Sequence, residues 1–194
     1  MIKSFIKELG IEYYEEANLK KYNTYRIDLN CKYLIFPSSV LELVSLLKYL
    51  DKEDIKHIVL GNGSNVIFAC DYYDGVVILL NKLNKVNIDD DTVNVEAGYS
   101  LQRLAVECCN MGLSGLEFAC GIPGFMGASI AMNAGAYNQD ISCILKEATI
   151  LTPENEVVIM KKFNGSPNIV NFYDAIIDKS IDGLEIWQKL NCFN

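Results

Sequence analysis

Leu60-Gly61-Asn62-Gly63-Ser64-Asn65 and, about sixty residues later, Gly121-Ile122-Pro123-Gly124-Phe125-Met126-Gly127 decide how this chain reads. The second loop leads into Asn133-Ala134-Gly135-Ala136. Glycine lets the main chain approach an anion closely and adopt φ > 0 without a Cβ penalty. One such loop reads equally well as a tight turn. The alternative reading of the second is close packing of backbone on backbone. Three small-residue segments together are hard to explain by turns alone. They suggest two loops clamping one extended anion with backbone N–H groups, which is what a dinucleotide site requires. Ser64 and Asn65 add side-chain donors beside the amides.

Working outward, the first loop is not a Rossmann fingerprint. The sixth position of G-x-G-x-x-G is Val66, and a strand-like run follows where a helix should begin. No G-x-x-x-x-G-K-[ST] occurs, which excludes a P-loop at motif level. His57 is the single histidine; it precedes a buried strand, has no Asp or Ser partner evident in sequence, and reads as a neutral structural residue. Nothing resembles a G-x-S-x-G elbow or a metal-ligand cluster, so no metal is expected.

The chain has 194 residues, 51% of them apolar, with a net charge of −8. That length supports one good core or two small subdomains sharing a cleft. The acidic balance argues against nucleic acid and against anionic membrane surfaces, which demand a basic face. It leaves room for a phosphate ligand neutralised by loop amides. The apolar runs are too short to span a bilayer, and the charged N-terminal stretch does not read as a signal peptide. Seven cysteines at 31, 70, 108, 109, 120, 143 and 192 form no C-x-x-C pair. They read as reduced thiols of a cytoplasmic protein, buried as small hydrophobes.

Tyr33–Phe36 reads as a strand, and Ser39-x-x-Glu42 as a capping box opening a helix to about Leu50, with Val40, Leu43, Val44 and Leu47 on one face. His57–Leu60 is a strand running into the first glycine loop, and Gly75–Leu80 is another. Val86, Ile88, Val93 and Val95 alternate around Asp89-Asp90-Asp91, which predicts a hairpin with a solvated acidic tip. Ser100 caps a second helix with Leu101, Leu104, Ala105 and Cys108 on its apolar face, and Gly112 stops it. Residues 113–140 show no period, which in a compact domain marks function. Glu147–Leu151 and Glu156–Met160 read as a last hairpin, and Ile181–Leu190 as a terminal helix.

Asn23-Thr24-Tyr25-Arg26, Leu60–Asn65, Ala97-Gly98, Gly115-Leu116-Glu117-Phe118-Ala119-Cys120-Gly121-Ile122-Pro123-Gly124 and Ala131-Met132-Asn133-Ala134-Gly135-Ala136-Tyr137 together resemble the UDP-N-acetylenolpyruvoylglucosamine reductase (UDP-N-acetylmuramate dehydrogenase) family. The resemblance runs in order from about residue 20 to 160. It implies an α/β (α+β) chain with the FAD-binding fold of the vanillyl-alcohol-oxidase, or PCMH-type, class. It implies subdomains at 1–82 and 83–163, with a divergent tail at 164–194. It assigns FAD, held non-covalently, to Gly61, Asn62, Gly63, Ser64, Asn65, Ala119, Gly121, Ile122, Pro123, Gly124, Gly127, Ala128 and Asn133. It also implies NADPH as reductant and an enolpyruvyl UDP-sugar as substrate, in the cytoplasmic synthesis of peptidoglycan for the cell wall.

The chain departs from that family where catalysis is expected. The family's Tyr-Arg stretch corresponds to Asn171-Phe172-Tyr173-Asp174-Ala175-Ile176-Ile177, which puts Tyr173 or Asp174 at the Arg position. The only arginines are Arg26 and Arg103. Replacing a fixed cation there removes or reverses stabilisation of a developing enolate. The family's substrate domain, with its Ser or Cys proton donor and late Glu, has no counterpart, and Gly165-Ser166-Pro167 does not match its Ser motif. Phe125 replaces a usual small hydroxyl residue and Ala128 a usual glycine. No catalytic residue is assigned. The expectation is an FAD-binding flavoprotein, an oxidoreductase by resemblance, catalytically incomplete as this chain alone. The alternatives are a non-enzymatic module that binds a protein partner, or a fragment whose UDP-sugar pocket lies on a separate chain.

Overall fold

A computed structural model describes residues 2–152 and 157–161. Helix α1 (Ile2–Glu8) leads into β1 (Glu12–Asn18), a short 3-10 turn (Lys20–Tyr22), β2 (Asn30–Phe36), helix α2 (Val40–Lys52), β3 (His57–Leu60) and β4 (Tyr72–Leu79). The four strands form one sheet in the order β1-β2-β4-β3. β1 runs antiparallel to β2, while β2 and β3 both run parallel to β4.

The two central strands explain their own composition. Ile35, Val76 and Ile78 face a layer built from Ile2 and Ile6 of α1 and Leu43, Leu46, Leu47 and Leu50 of α2. Their neighbours Leu34, Phe36, Val77 and Leu79 face the opposite layer, with Leu19, Leu29, Ile58, Leu60 and Phe68. A strand covered on both faces carries an unbroken apolar run rather than an alternating one.

Helix α2 begins as its sequence predicts, with one change of partner. Ser39 Oγ accepts from the Glu42 N–H at 3.2 Å. The Glu42 carboxylate returns to the N–H of Ser38, at 2.7 Å, and not to that of Ser39. The box is therefore one residue wider than the pattern implies.

β1 and α1 carry no prediction from sequence. β1 is an edge strand, Glu12-Tyr13-Tyr14-Glu15-Glu16-Ala17-Asn18, in which only Tyr13 and Ala17 are half-buried. Its charges protect an open edge, and they also hide its period. The run Val66-Ile67-Phe68 was expected to be strand-like and is not paired in the sheet. Phe68 anchors it in the core, and Ile67 is exposed.

The chain then builds hairpin β5 (Val86–Asp89) and β6 (Thr92–Val95), helix α3 (Leu101–Asn110), a 3-10 turn (Glu117–Gly121), helix α4 (Met126–Ala131), the short pair β7 (Gly135–Ala136) and β8 (Gln139–Asp140), a 3-10 turn (Ile141–Cys143), and hairpin β9 (Glu147–Leu151) and β10 (Val157–Lys161). The acidic tip turns at Asp90 with φ 48°, and Asp91 pairs with Lys146 at 3.5 Å. Ser100 Oγ caps α3 through the Arg103 N–H, and Gly112 leaves it at φ 76°. Leu101, Leu104, Ala105, Cys108, Phe118, Ala119, Met126 and Ile141 form a third core under the β5–β6 hairpin. The turn at 153–156, the Tyr173–Asp174 stretch, Ile181–Leu190 and the tail from 164 lie outside the described residues.

Glu96-Ala97-Gly98 stitches this third core to the first. The Glu96 N–H donates to Lys85 O at 2.9 Å and the Gly98 N–H to Leu83 O at 2.8 Å. Leu83 itself packs in the first core. The expected division between residues 82 and 83 falls in the turn closed by the Leu83 N–H on Leu80 O, at 2.8 Å.

Two readings of single residues change. The thiols are not uniformly buried: Cys31 and Cys108 are, but Cys70, Cys109 and Cys143 are exposed. Burial pushes the Cys31 thiol up to about 12, so it stays protonated. His57 does have an acidic neighbour, with Nε2 3.7 Å from Asp51, and its Nδ1 lies 2.9 Å from Ile55 O. Asp51 sits in the last turn of α2, one residue before its end, a placement that needs the fold to be seen. Among the described residues, no helix is long and apolar enough to cross a membrane, and no group of three or more His, Cys, Asp or Glu converges.

Two substitutions test this packing. Leu46 is fully buried and Leu41, on the same helix, is 81% exposed. Leu46→Ala lowers unfolding free energy by about 2–5 kcal/mol in urea titration, and Leu41→Ala changes it by less than about 0.5 kcal/mol. A Cβ on Gly98 would lie 1.7 Å from Leu80 O. Gly98→Ala therefore lowers the urea midpoint by the equivalent of about 1–3 kcal/mol.

Candidate dinucleotide-binding cleft

The first glycine loop begins where β3 ends, at the carboxyl edge of the parallel strands, which is where open α/β sheets take ligands. Gly63 sits at φ +60°, and a Cβ there would meet Asn23 Cα and Tyr22 O, each at 2.7 Å. No other side chain fits both the angle and the space. The Thr24 N–H donates to Gly63 O at 3.2 Å, and Thr24 Oγ1 lies 2.8 Å from Ser64 Oγ and donates to Asn62 O at 3.3 Å. Beneath this contact Asn23 is 4% exposed. Its Nδ2 donates to Leu19 O and Ile27 O, and its Oδ1 accepts from the Ile27 N–H. A fully bonded buried side chain thus fixes the segment that fixes the loop.

The loop is held through its carbonyls and side chains. Among the described residues, the N–H groups of Asn62, Gly63, Ser64 and Asn65 meet no acceptor. They are four donors on consecutive residues, the arrangement that makes an anion-binding concavity.

The second loop is anchored from the other side. The Leu101 N–H donates to Gly124 O at 3.0 Å, the Met126 N–H to Tyr99 O at 2.8 Å, and the Gly127 N–H to Ala97 O at 2.8 Å. A Cβ on Gly127 would come within 2.8 Å of Ala97 Cβ. The N–H groups of Gly124, Phe125 and Ala128 remain without an acceptor among the described residues. The two loops then meet: a Cβ on Gly61 would lie 2.7 Å from Ala128 Cβ.

One cleft of about 2980 Å³ runs along both loops. It exceeds the ~300–1,000 Å³ of ordinary small-molecule sites. Gly61, Asn62, Gly63, Ser64, Asn65, Ile122, Pro123, Gly124, Gly127, Ala128 and Asn133 line it. Asn133 sits at φ 44°, with Oδ1 accepting from the Ser142 N–H at 2.9 Å, so that oxygen is committed to the fold. Ala119 and Gly121 are not part of the wall. Ala119 is fully buried in the third core; its N–H donates to Leu116 O and its carbonyl accepts from the Ile122 N–H. Ala119 thus supports the second loop from behind, while Gly121 is exposed at the loop's start.

The cleft wall carries the carboxylates of Asp51, Asp91, Glu96 and Glu147 and few cations. Lys85 and Lys146 are its lysines, neither on a glycine loop. Lys146 holds Asp91 and Thr92, whose hydroxyl and the Lys146 ammonium keep the Asp91 carboxyl below its usual range. Asp140, which does not line the cleft, is likewise held low, chiefly by the Ser142 hydroxyl at 2.5 Å. Neutralisation of an anion at the loops therefore rests on backbone amides. Sequence reasoning quoted Asn23-Thr24 and Ala97-Gly98 without a task for them. Their signal was the pairing of a small residue with a polar or small neighbour, legible only once the loops they support are in place.

The described geometry has close relatives. UDP-N-acetylenolpyruvoylglucosamine reductase of Caldicellulosiruptor bescii is 37% identical over 147 residues, 76% of this chain and 47% of that protein. The reductase of the same name from Streptococcus uberis is 43% identical over 156 residues, 80% of this chain and 52% of that protein. The chain thus spans about half the length of the curated relatives it matches. Among solved structures, UDP-N-acetylenolpyruvylglucosamine reductase from Thermus caldophilus superposes with a TM-score of 0.61 at 26% identity, over 78% of this chain and 52% of that one. Physcomitrella patens BBE-like 1 does so with a TM-score of 0.63 at 16% identity, over 83% of this chain and 38% of that one, a likeness of fold. The fold is that of the PCMH-type flavin oxidases, as the motifs imply. Residues 31–161, which carry both glycine loops and the strands that present them, match the model of the FAD-binding domain, and the chain belongs to that family.

Proposed function

We propose that this chain binds FAD non-covalently, with the pyrophosphate between the two glycine loops. What supports the reading is that seven residues lining one cleft, Asn62, Gly63, Ser64, Asn65, Gly124, Phe125 and Ala128, have N–H groups without an acceptor among the described residues, in a chain of the FAD-binding family. Their dipoles suit a pyrophosphate without a basic side chain. Gly61 and Ala128 set the spacing of the two rows of donors. Asn133 and Ser142 brace the segment following the second loop.

The activity is read from the relatives. Their shared name is that of a reductase of an enolpyruvyl UDP-sugar, and this chain is the flavin-holding part of such an enzyme. FAD, when bound, supplies the two-electron relay between NADPH and the enolpyruvyl group. The chain's own part is to hold and orient that group, in the cytoplasm, as one step of peptidoglycan synthesis. Alone it is a poor reductase. Tyr173 or Asp174 stands where the resemblance expects arginine.

The test is a spectrum of the purified protein before and after FAD is added and the excess removed. A retained flavin band supports the reading, and release of all the colour on acid precipitation supports non-covalent binding. Anaerobic bleaching by NADPH then shows that flavin reduction survives. A protein that takes up no FAD under any condition is the non-enzymatic interaction module instead.

The spacing of the loops gives a sharper prediction. Gly61→Ala drives a methyl group to 2.7 Å from Ala128 Cβ. It weakens FAD roughly tenfold in a fluorescence titration. The double variant Gly61→Ala/Ala128→Gly, which removes the opposing methyl, recovers most of that loss.

A further inference from the structure

Three hydroxyl and amide groups on the first loop and its support form a closed set. Ser64 Oγ accepts from Asn62 Nδ2 at 3.2 Å and lies 2.8 Å from Thr24 Oγ1, either oxygen able to donate. Thr24 Oγ1 also reaches Asn62 O, an acceptor only, at 3.3 Å. Ser64 and Asn62 line the cleft, and Thr24 does not. Thr24 therefore touches the loop without touching what the loop holds.

Each hydroxyl has one proton and two lone pairs. Two arrangements satisfy the set. In one, Thr24 gives its proton to Asn62 O and Ser64 gives its own to Thr24, so Ser64 has none to offer. In the other, Thr24 gives its proton to Ser64 Oγ. Both lone pairs of Ser64 are then filled, by Thr24 and by Asn62 Nδ2, and its own proton has nowhere to go but outward. The second arrangement turns Ser64 into an obligate donor toward the cleft. A bound anion selects it, because a hydrogen bond to a charged oxygen is worth about twice a neutral one, and the longer 3.3 Å contact to Asn62 O is the one given up.

We propose that Thr24 is a positioning residue for the phosphate loop, and that it acts by handing its hydroxyl proton to Ser64 so that Ser64 donates to a pyrophosphate oxygen of the cofactor. This rests on the reading of the cleft as the FAD site. Its second part is mechanical: the Thr24 N–H on Gly63 O, with the backbone of Tyr22 and Asn23 against Gly63, fixes the loop's height whatever the hydroxyl does. Removing the hydroxyl alone therefore leaves the loop in place and removes only the relay.

The experiment titrates FAD into the full chain and four variants: Thr24→Val, Thr24→Ser, Ser64→Ala and Thr24→Val/Ser64→Ala. Thr24→Val keeps the shape and the N–H. It weakens FAD roughly tenfold, the loss of one hydrogen bond to a charged group. Thr24→Ser restores binding to within about twofold. Ser64→Ala weakens FAD by a similar factor, and the double variant is no weaker than Ser64→Ala alone, since the relay has no other outlet. Additive losses in the double variant overturn the proposal, because Thr24 would then act independently of Ser64. So does a Thr24→Val protein that binds like the parent while Ser64→Ala is weak. A parent protein that binds no FAD overturns the reading of the cleft, and this proposal with it. A failure confined to the variants leaves the cleft standing and removes only the relay.

Discussion

Everything in the candidate site depends on one close approach. Gly61, at the end of the sheet, and Ala128, in the first turn of a helix over a different core, stand where a second methyl group would not fit. The sheet brings the first loop to this point through β3, an edge strand that buries Ile58 and Leu60, paired to β4, which is buried on both faces. The third core brings the second loop through Ala97–Leu101. Because the two loops come from separate cores, their separation is set by the packing of each core and by the Glu96–Gly98 seam between them. A ligand lying across both loops senses all of it.

The support follows a consistent logic. Among the described residues, backbone N–H groups that a polyanion requires are left open, and the loops are held instead through their carbonyls, by Thr24 on Gly63 and Asn62 and by Leu101 on Gly124. The second loop spends the N–H groups of Met126 and Gly127 on Tyr99 and Ala97, where α4 needs an anchor, and that of Ile122 on Ala119. With few cations in the cleft and a chain of net charge −8, the proposed affinity for an anion rests on oriented dipoles. Such dipoles are effective only when fixed in advance. That is a physical reason for the fully bonded, buried Asn23 beneath the first loop, well away from the cleft it serves.

Much of this was legible in the sequence, and the rest was hidden for identifiable reasons. The helix after Ser39, the strands ending at Phe36 and Leu60, the hairpin around Asp89–Asp91 and the helix after Ser100 follow from period and caps. The two loops were recognisable because glycine and small polar residues recur where a core has no use for them. β1 escaped because an edge strand of Glu and Tyr does not alternate in polarity. Asp51 beside His57 escaped because the pair is made by a helix folding back on a strand. Ala119 matches a motif but sits behind the loop, since motif membership does not say which way a residue faces. Glu42 matched its pattern and bonded the neighbouring residue instead, a shift of one position that no spacing rule resolves.

The central claim is that backbone amides of both loops hold one polyanion, and amide chemical shifts report that directly. In a proton–nitrogen correlation spectrum of the labelled protein titrated with FAD, the account predicts downfield amide proton shifts for Asn62, Gly63, Ser64, Asn65, Gly124, Phe125 and Ala128. All seven should move with a single midpoint, while Ala119, buried behind the second loop, moves little. Binding of FAD with the amides of one loop unmoved, or with the large shifts elsewhere, would contradict it.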